Sequence, residues 1–465
     1  MRVGKYFLYA FMANCSILII TLATSADLTY MLALMVWINM MIYAYKDLEH
    51  RSMLFAYGIA FFVFLMGRDL LQQVFKYKEV DYAADVQTHA YLSILLALLS
   101  LWTGYYLLSK KRRYKNVVKD IVVNHKYLKY IQQLSLVTFC ISWIFAVASK
   151  IIVARFISAN SYFDYYTDYS EFLRGNIILY SMSKIEILMP VALSIFMATL
   201  PTKKQFKIPM VLYGIYTIVS LGSGQRSTFM LGLLWIFVYL VFRSGLNKEE
   251  GWFDRKLLLY GVLAAPVLAI FGSIYSIWRE GGDLQNINYM SSFFDFFYDQ
   301  GVTINAIKNA YIYADSIPHD NLYTLEFLQS GLLARILGIT VYYGNTVEHA
   351  LYGGSFTHAL AYAVLGNLYL SGRGTGSSYI AELFFDFGYV GIVLGNFLYS
   401  YIILNITRIA KKSPFLLSIC FTMVTQLLWA PRGSFSGMIT ILFYPTTVLT
   451  YILIFGVSKL LASRK

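Results

Sequence analysis

The sequence predicts an all-α, polytopic integral membrane protein of about twelve transmembrane helices, organised as a single membrane domain over residues 1–465. Of its 465 residues, 58% are apolar and only 14% are charged, against about 45–50% and about 25% in ordinary soluble domains. The apolar residues fall in blocks of about twenty along the whole chain, the length that crosses a hydrocarbon core of roughly 30 Å. The segments between the blocks alternate between two chemical classes. Together these features exclude a soluble enzyme, a disordered chain and, despite the net charge of +13, a nucleic-acid binder. Cys15, Cys140 and Cys420 all lie in apolar blocks, so no disulfide or metal framework is expected.

The expected spans cover approximately 6–24, 28–45, 51–67, 88–109, 133–155, 182–200, 206–222, 228–242, 257–277, 388–407, 413–430 and 436–457. The first follows Arg2 and Lys5 and ends in Ala23-Thr24-Ser25-Ala26, a signal-peptide flank. Its length and the span that follows at once favour an uncleaved first helix. One class of connecting segment is basic: the amino terminus, Lys46 to Arg51, Lys110 to Lys129, Lys203 to Lys207, Arg243 to Lys256, Arg408 to Lys412, and the carboxyl terminus. The other is aromatic, acidic and glycine-containing: 68–87, 156–181, 222–227, 278–387 and 431–435. The positive-inside rule puts the basic segments and both termini in the cytoplasm. The basic segments hold 17 Lys and 8 Arg, and the rest of the chain 5 Lys and 8 Arg. Lysine suffices to hold topology, whereas the planar fork of arginine suits bidentate binding of phosphate or carboxylate.

The one departure from helix and short loop is 278–387, a large helical segment on the outer side. It opens with Arg279-Glu280-Gly281-Gly282-Asp283, followed by the aromatic run Phe293 to Tyr298 and by Tyr311, Tyr313 and Tyr323. Two moderately apolar stretches, 325–343 and 353–371, would make fourteen spans. Each carries polar residues at mid-stretch, Gln329 and Arg335 in one and His358 and Asn367 in the other, so helices in the interface or dipping into the membrane are preferred. A long outer segment argues for work on the outer face, since transporters usually bind near the midplane and have short loops. The loop Tyr162-Phe163-Asp164-Tyr165-Tyr166-Thr167-Asp168-Tyr169 suits interfacial anchoring or stacking against sugar rings.

Two constellations carry candidate chemistry. In Gly222-Ser223-Gly224-Gln225-Arg226-Ser227 the flanking residues are too few for two full crossings and a turn. The turn should therefore sit below the outer surface, and an arginine at such depth is a functional-site hypothesis. Its glycines free backbone N–H groups to approach an anion at a helix amino end. The second is Gly372-Arg373-Gly374-Thr375-Gly376-Ser377-Ser378, followed by a segment in which Tyr379, Glu382, Asp386 and Tyr389 fall on one helical stripe. It offers an anion cradle beside carboxylates that could act as a base.

The run at 372–391, with Gly222-Ser223-Gly224-Gln225-Arg226-Ser227 and Pro431-Arg432-Gly433-Ser434-Phe435, resembles the motifs of Wzy-type O-antigen and capsular polysaccharide polymerases. The Arg-x10-Gly pattern of some members is absent: the eleventh residue after Arg279, Arg335 or Arg373 is not glycine. The resemblance implies a GT-C-like glycosyltransferase of the bacterial inner membrane. It would act on undecaprenyl-diphosphate-linked oligosaccharides amid membrane lipid, need no cofactor, and have a chain-length-regulating membrane protein as a partner. On that reading arginines stabilise the leaving diphosphate without a metal, the candidates being Arg226, Arg279, Arg373, Arg432 and Arg335, with Tyr379 beside the substrate. Glu382, Asp386 and His358 are candidates for the base that activates the attacking hydroxyl. The alternatives are an O-antigen ligase, with the same donor and another acceptor, and a lipid-linked oligosaccharide flippase or other transporter.

Overall fold

The computed structural model describes residues 4–111, 125–160, 164–224, 226–247, 250–279, 287–409 and 413–463. Among them every regular element is helical, as the composition requires: inside a bilayer an unpaired backbone amide has no water to turn to, and a helix satisfies its own. Tyr162, Phe163, Gln225 and Glu280 to Asp283 lie outside the described residues, as does the side chain of Arg279.

The long helices are α1 (Lys5–Thr24), α2 (Leu28–Lys46), α3 (Leu48–Phe75), α4 (Ala84–Lys111), α5 (His125–Ala159), α6 (Ile177–Ala198), α7 (Lys203–Gly222), α8 (Arg226–Leu246) and α9 (Arg255–Arg279). The outer segment adds α10 (Tyr289–Gln300) and α11 (Ile304–Ile312), and the chain closes with α12 (Tyr379–Ile409), α13 (Pro414–Trp429) and α14 (Pro445–Ser463). Eleven of the described helices are long and apolar enough to cross a membrane, which makes this a multi-pass membrane protein. The expected span 206–222 forms as the 20-residue α7 but is not one of the eleven. Lys203, Lys204 and Lys207 crowd its first turns, where Thr202 and Gln205 close a capping box. It still packs within the bundle, with Trp143 Nε1 donating to the Leu212 carbonyl at 2.6 Å.

Several boundaries differ from the sequence expectation, α3 running on to Phe75 and α5 starting at His125 among them, and three further departures have a local feature behind them. The last span begins at Pro445 rather than 436, because proline fits the first turn of a helix and cannot continue one; 437–443 form only short turns. The span expected at 388–407 begins at Tyr379, and Gly388, at φ 63° and ψ −157°, breaks its helical register. α6 is interrupted at Ile187, where Pro190 offers no N–H to the carbonyl of Glu186. The outer segment 325–371 holds no long helix: its longest, Phe356–Leu365, has 10 residues, about 15 Å at 1.5 Å per residue, far short of a crossing.

α3, α4 and α12 form the centre. Gly104 lets α4 lie against α12, since a Cβ there would stand 2.5 Å from Ser400 Oγ, and Tyr57, Tyr91, Tyr105 and Tyr399 are fully buried around them. At the periphery α1 buries Ile17 alone and leaves Leu22 85% exposed, a surface suited to lipid. A buried polar node ties α5, α6 and α7: Lys150 Nζ is 2.7 Å from Glu186 Oε1, and Ser149 Oγ donates to Glu186 Oε2 at 2.7 Å. Charges at such depth persist because each is paired.

Candidate functional site

The outer segment meets the bundle at the short loop 430–436, where α13 ends. Trp429 is followed by the turn Ala430–Arg432, and a side chain at Gly433 would collide with the Trp429 ring at 2.6 Å. Arg432 is half-buried, its guanidinium 5.7 Å from the Trp429 ring and 5.8 Å from that of Phe64. Its Nη1 donates to the Gln300 carbonyl at 3.3 Å and to Gln300 Oε1 at 3.4 Å. Ser434 lies beside the carboxylate of Glu326. The Phe435 N–H donates to Glu382 Oε2 at 2.7 Å, while Tyr399 donates its hydroxyl to the Phe435 carbonyl at 2.7 Å. Ser436 Oγ accepts the Phe327 N–H at 3.3 Å. Five consecutive residues thus tie together α10, α12 and the 3₁₀ turn Tyr323–Leu328.

A second arginine borders the same junction. α3 passes through a π-helical turn at Phe62–Met66 before Gly67, a local underwinding often found at functional sites. Beyond it Arg68 donates from Nη2 to the Tyr298 hydroxyl at 2.8 Å, with its guanidinium 3.8 Å from that ring's centre. A Cβ at Gly301 would stand 2.5 Å from the Arg68 backbone nitrogen, so only glycine lets α10 end this close to α3. The next residue, Asp69, pairs with Lys308 of α11 at 2.9 Å, both side chains being at most 2% exposed. On the outer rim Lys78 pairs with Asp295, which also accepts from the Tyr77 hydroxyl at 2.8 Å. The aromatic run expected to anchor or stack therefore docks against the outer end of α3.

The four members of the expected stripe go to different partners. Tyr379 is fully buried, donating to Asn396 Oδ1 at 2.7 Å and lying 4.9 Å from the Tyr399 ring. Glu382 is 1% exposed and accepts from Ser377 Oγ at 3.3 Å as well as from Phe435. Asp386 accepts from the backbone of Tyr323 at 3.3 Å and of Thr324 at 2.8 Å, and from Thr324 Oγ1 at 2.7 Å. Beyond the break at Gly388, Tyr389 meets His89 Nδ1 at 3.0 Å.

The remaining candidates are dispersed. Arg226, half-buried at the start of α8, donates to the Gly272 carbonyl at 3.1 Å, and Gly272 is where Phe296 of α10 packs. Arg226 and Arg432 thus both reach elements that contact α10. Arg335 and Arg373 are exposed, the latter on a loop whose carbonyl accepts from Asn345 at 3.1 Å. Arg279 ends α9. His358 stands apart from Glu382 and Asp386 in a small cluster with Tyr369, to whose hydroxyl its Nδ1 is bonded at 2.8 Å, and its ring stacks 3.7 Å from that of His349. Burial and then the neighbouring His349 push His358 down to about 4. Among the described residues no group of three or more His, Cys, Asp or Glu could hold a metal ion.

Glu326 and Arg68 join this junction without having been singled out in the sequence. Arg68 was visible only as one of eight outer arginines, and Glu326 sits in a segment with no helical or motif pattern around it. No curated protein and no solved structure matches the chain. A family model, O-antigen polysaccharide polymerase Wzy, matches residues 5–465. The chain belongs to that family.

Proposed function

We propose that this member of the O-antigen polysaccharide polymerase Wzy family joins lipid-diphosphate-linked oligosaccharide repeats on the outer face of the bacterial inner membrane, with both termini in the cytoplasm. The growing chain leaves its polyprenyl diphosphate and is transferred to a terminal sugar hydroxyl of the next lipid-linked repeat. What carries this reading is the loop 430–436, which sets a half-buried guanidinium within two residues of a serine beside one carboxylate and three residues of an amide bonded to a second.

The chemistry follows from charge. As the anomeric C–O bond breaks, its electron pair moves onto the diphosphate, and positive donors already in place stabilise that charge without reorganising. Arg432 and Arg226 are assigned this role, with Arg68 beside them. Guanidinium forks suit it because they bind phosphate oxygens bidentately. The exposed Arg335 and Arg373 draw the anionic carrier toward the junction, and Arg279 is assigned to the same set. Tyr379 acts from within the bundle, by supporting the Tyr399 ring that holds Phe435.

Complementation of a strain lacking this protein tests the reading through the surface glycan. Deletion should leave acceptor carrying a single repeat, and the restored protein should return a ladder of lengths. Loss of all glycan from the acceptor would indicate a ligase, and lipid-linked repeats trapped on the cytoplasmic leaflet a transporter.

A further inference from the structure

We propose that Glu326 is the general base of the reaction, taking the proton of the attacking sugar hydroxyl, while Glu382 beside it is a positioning residue. This deepens the polymerase reading above and rests on it.

Glu326 is held in place from three directions. Its turn, Tyr323–Leu328, is fixed at its start by Asp386, which accepts from the backbone of Tyr323 and Thr324, and near its end by the Phe327 bond to Ser436 Oγ. The hydroxyls of Ser434 and Ser355 lie beside the carboxylate itself. The Phe327 bond to Ser436 sets the turn that carries Glu326 against the loop that carries Arg432.

The other acidic candidates are each held by backbone N–H groups. Glu382 is 1% exposed, and both of its oxygens are taken, by Ser377 Oγ and the Phe435 N–H. Both oxygens of Asp386 likewise accept hydrogen bonds. His358 belongs to the separate cluster around Tyr369. Glu326 is partly exposed whereas Glu382 is 1% exposed, which leaves Glu326 the more accessible carboxylate of the pair.

The environment suits the task. Burial raises the Glu326 carboxyl above the usual carboxylate range against the lowering effect of its two serine neighbours, and a base works best when its pKa lies near the operating pH. The titratable groups facing it are Glu382 of α12 and Tyr444, which precedes α14. In the step, the hydroxyl oxygen forms a bond to the anomeric carbon and the bond from that carbon to the diphosphate oxygen breaks. The electron pair departs on the lipid diphosphate, and the hydroxyl proton passes to Glu326. One glycosidic bond forms per diphosphate released.

The test uses the purified full-length protein in lipid nanodiscs with a synthetic lipid-diphosphate-linked repeat. Glu326→Gln should lower kcat by about 100-fold or more, the range of general-base removal, with KM within about threefold of wild type. Glu326→Asp, which keeps the charge, should recover part of the rate and displace the acid limb of the wild-type pH profile. If Glu326→Gln keeps a third or more of the wild-type kcat, the assignment is overturned. Should Glu326→Gln fail to fold, Glu326→Asp decides alone: an acid limb superimposable on that of wild type removes Glu326 from the role. If wild type itself forms no linkage from this donor, the polymerase reading fails before Glu326 is at issue.

Discussion

Arg432 shows what a single residue does in this fold. Its guanidinium lies near two packed aromatic rings and reaches the carbonyl of Gln300, so it joins α13 to the outer segment while keeping a cation at their junction. A lysine there would preserve the charge but not the planar fork. Arg432→Lys should therefore lower the rate of repeat addition by roughly 100-fold, the usual effect of losing one preorganised donor. The protein should remain inserted and monodisperse, as gel filtration of the variant would check. His358 gives a prediction in pH. Its folded-state pKa, about 4, lies below the ordinary histidine value of 6.5, so the unfolded chain binds the proton more readily. The stability contributed by His358 is present above pH 6.5 and is lost as pH falls toward 4. His358→Asn should flatten the pH dependence of the thermal midpoint across that window, and an unchanged slope would contradict the assignment. Arg226, Arg432 and Glu382 stood out as candidates because glycines and charges repeat at short spacing around them. Glu326 did not, because its partner Ser434 is more than a hundred residues away and no local pattern encodes such a contact.

At the scale of elements, the outer segment is held by side chains more than by covalent proximity. Asp69 and Lys308, 2.9 Å apart and buried, join α11 to the outer end of α3. Removing one partner leaves an uncompensated buried charge, which typically costs about 3–5 kcal/mol. Lys308→Met alone should thus lower the detergent unfolding midpoint sharply, whereas Asp69→Leu combined with Lys308→Met should recover most of it. A double variant as unstable as the single one would show that the pair is not the reason. The helices themselves were legible from hydropathy, and most expected spans recur within a few residues. The misses trace to proline and glycine: Pro445 sets the start of α14 and Gly388 breaks α12. The early start of α12 has a different origin. Tyr379 to Phe387 mix polar and apolar side chains, so hydropathy placed them outside the span, but Asn396 and the loop 430–436 satisfy Tyr379 and Glu382 within the bundle.

On the scale of the whole molecule, the proposed sidedness rests on the alternation of basic and aromatic–acidic segments. The arrangement predicts a sidedness that thiol labelling can read. With Cys15, Cys140 and Cys420 replaced by alanine, Ser371→Cys should react with an impermeant maleimide added outside intact spheroplasts. Lys110→Cys should react only after permeabilisation; both positions are exposed on the protein, so failure to label reports the membrane and not the fold. The segment 278–387 was legible as a departure from long helices joined by short loops. How it docks was not, because its contacts with α3, α12 and the loop 430–436 pair residues far apart in sequence. The most direct measurement is stoichiometric: purified protein in proteoliposomes, given a lipid-diphosphate-linked repeat, with new glycosidic bonds and free lipid diphosphate counted together. One diphosphate released per bond, with both counts suppressed in parallel by Arg432→Lys, is the result expected. Bonds formed without diphosphate release, or an undiminished ladder from the variant, would contradict it.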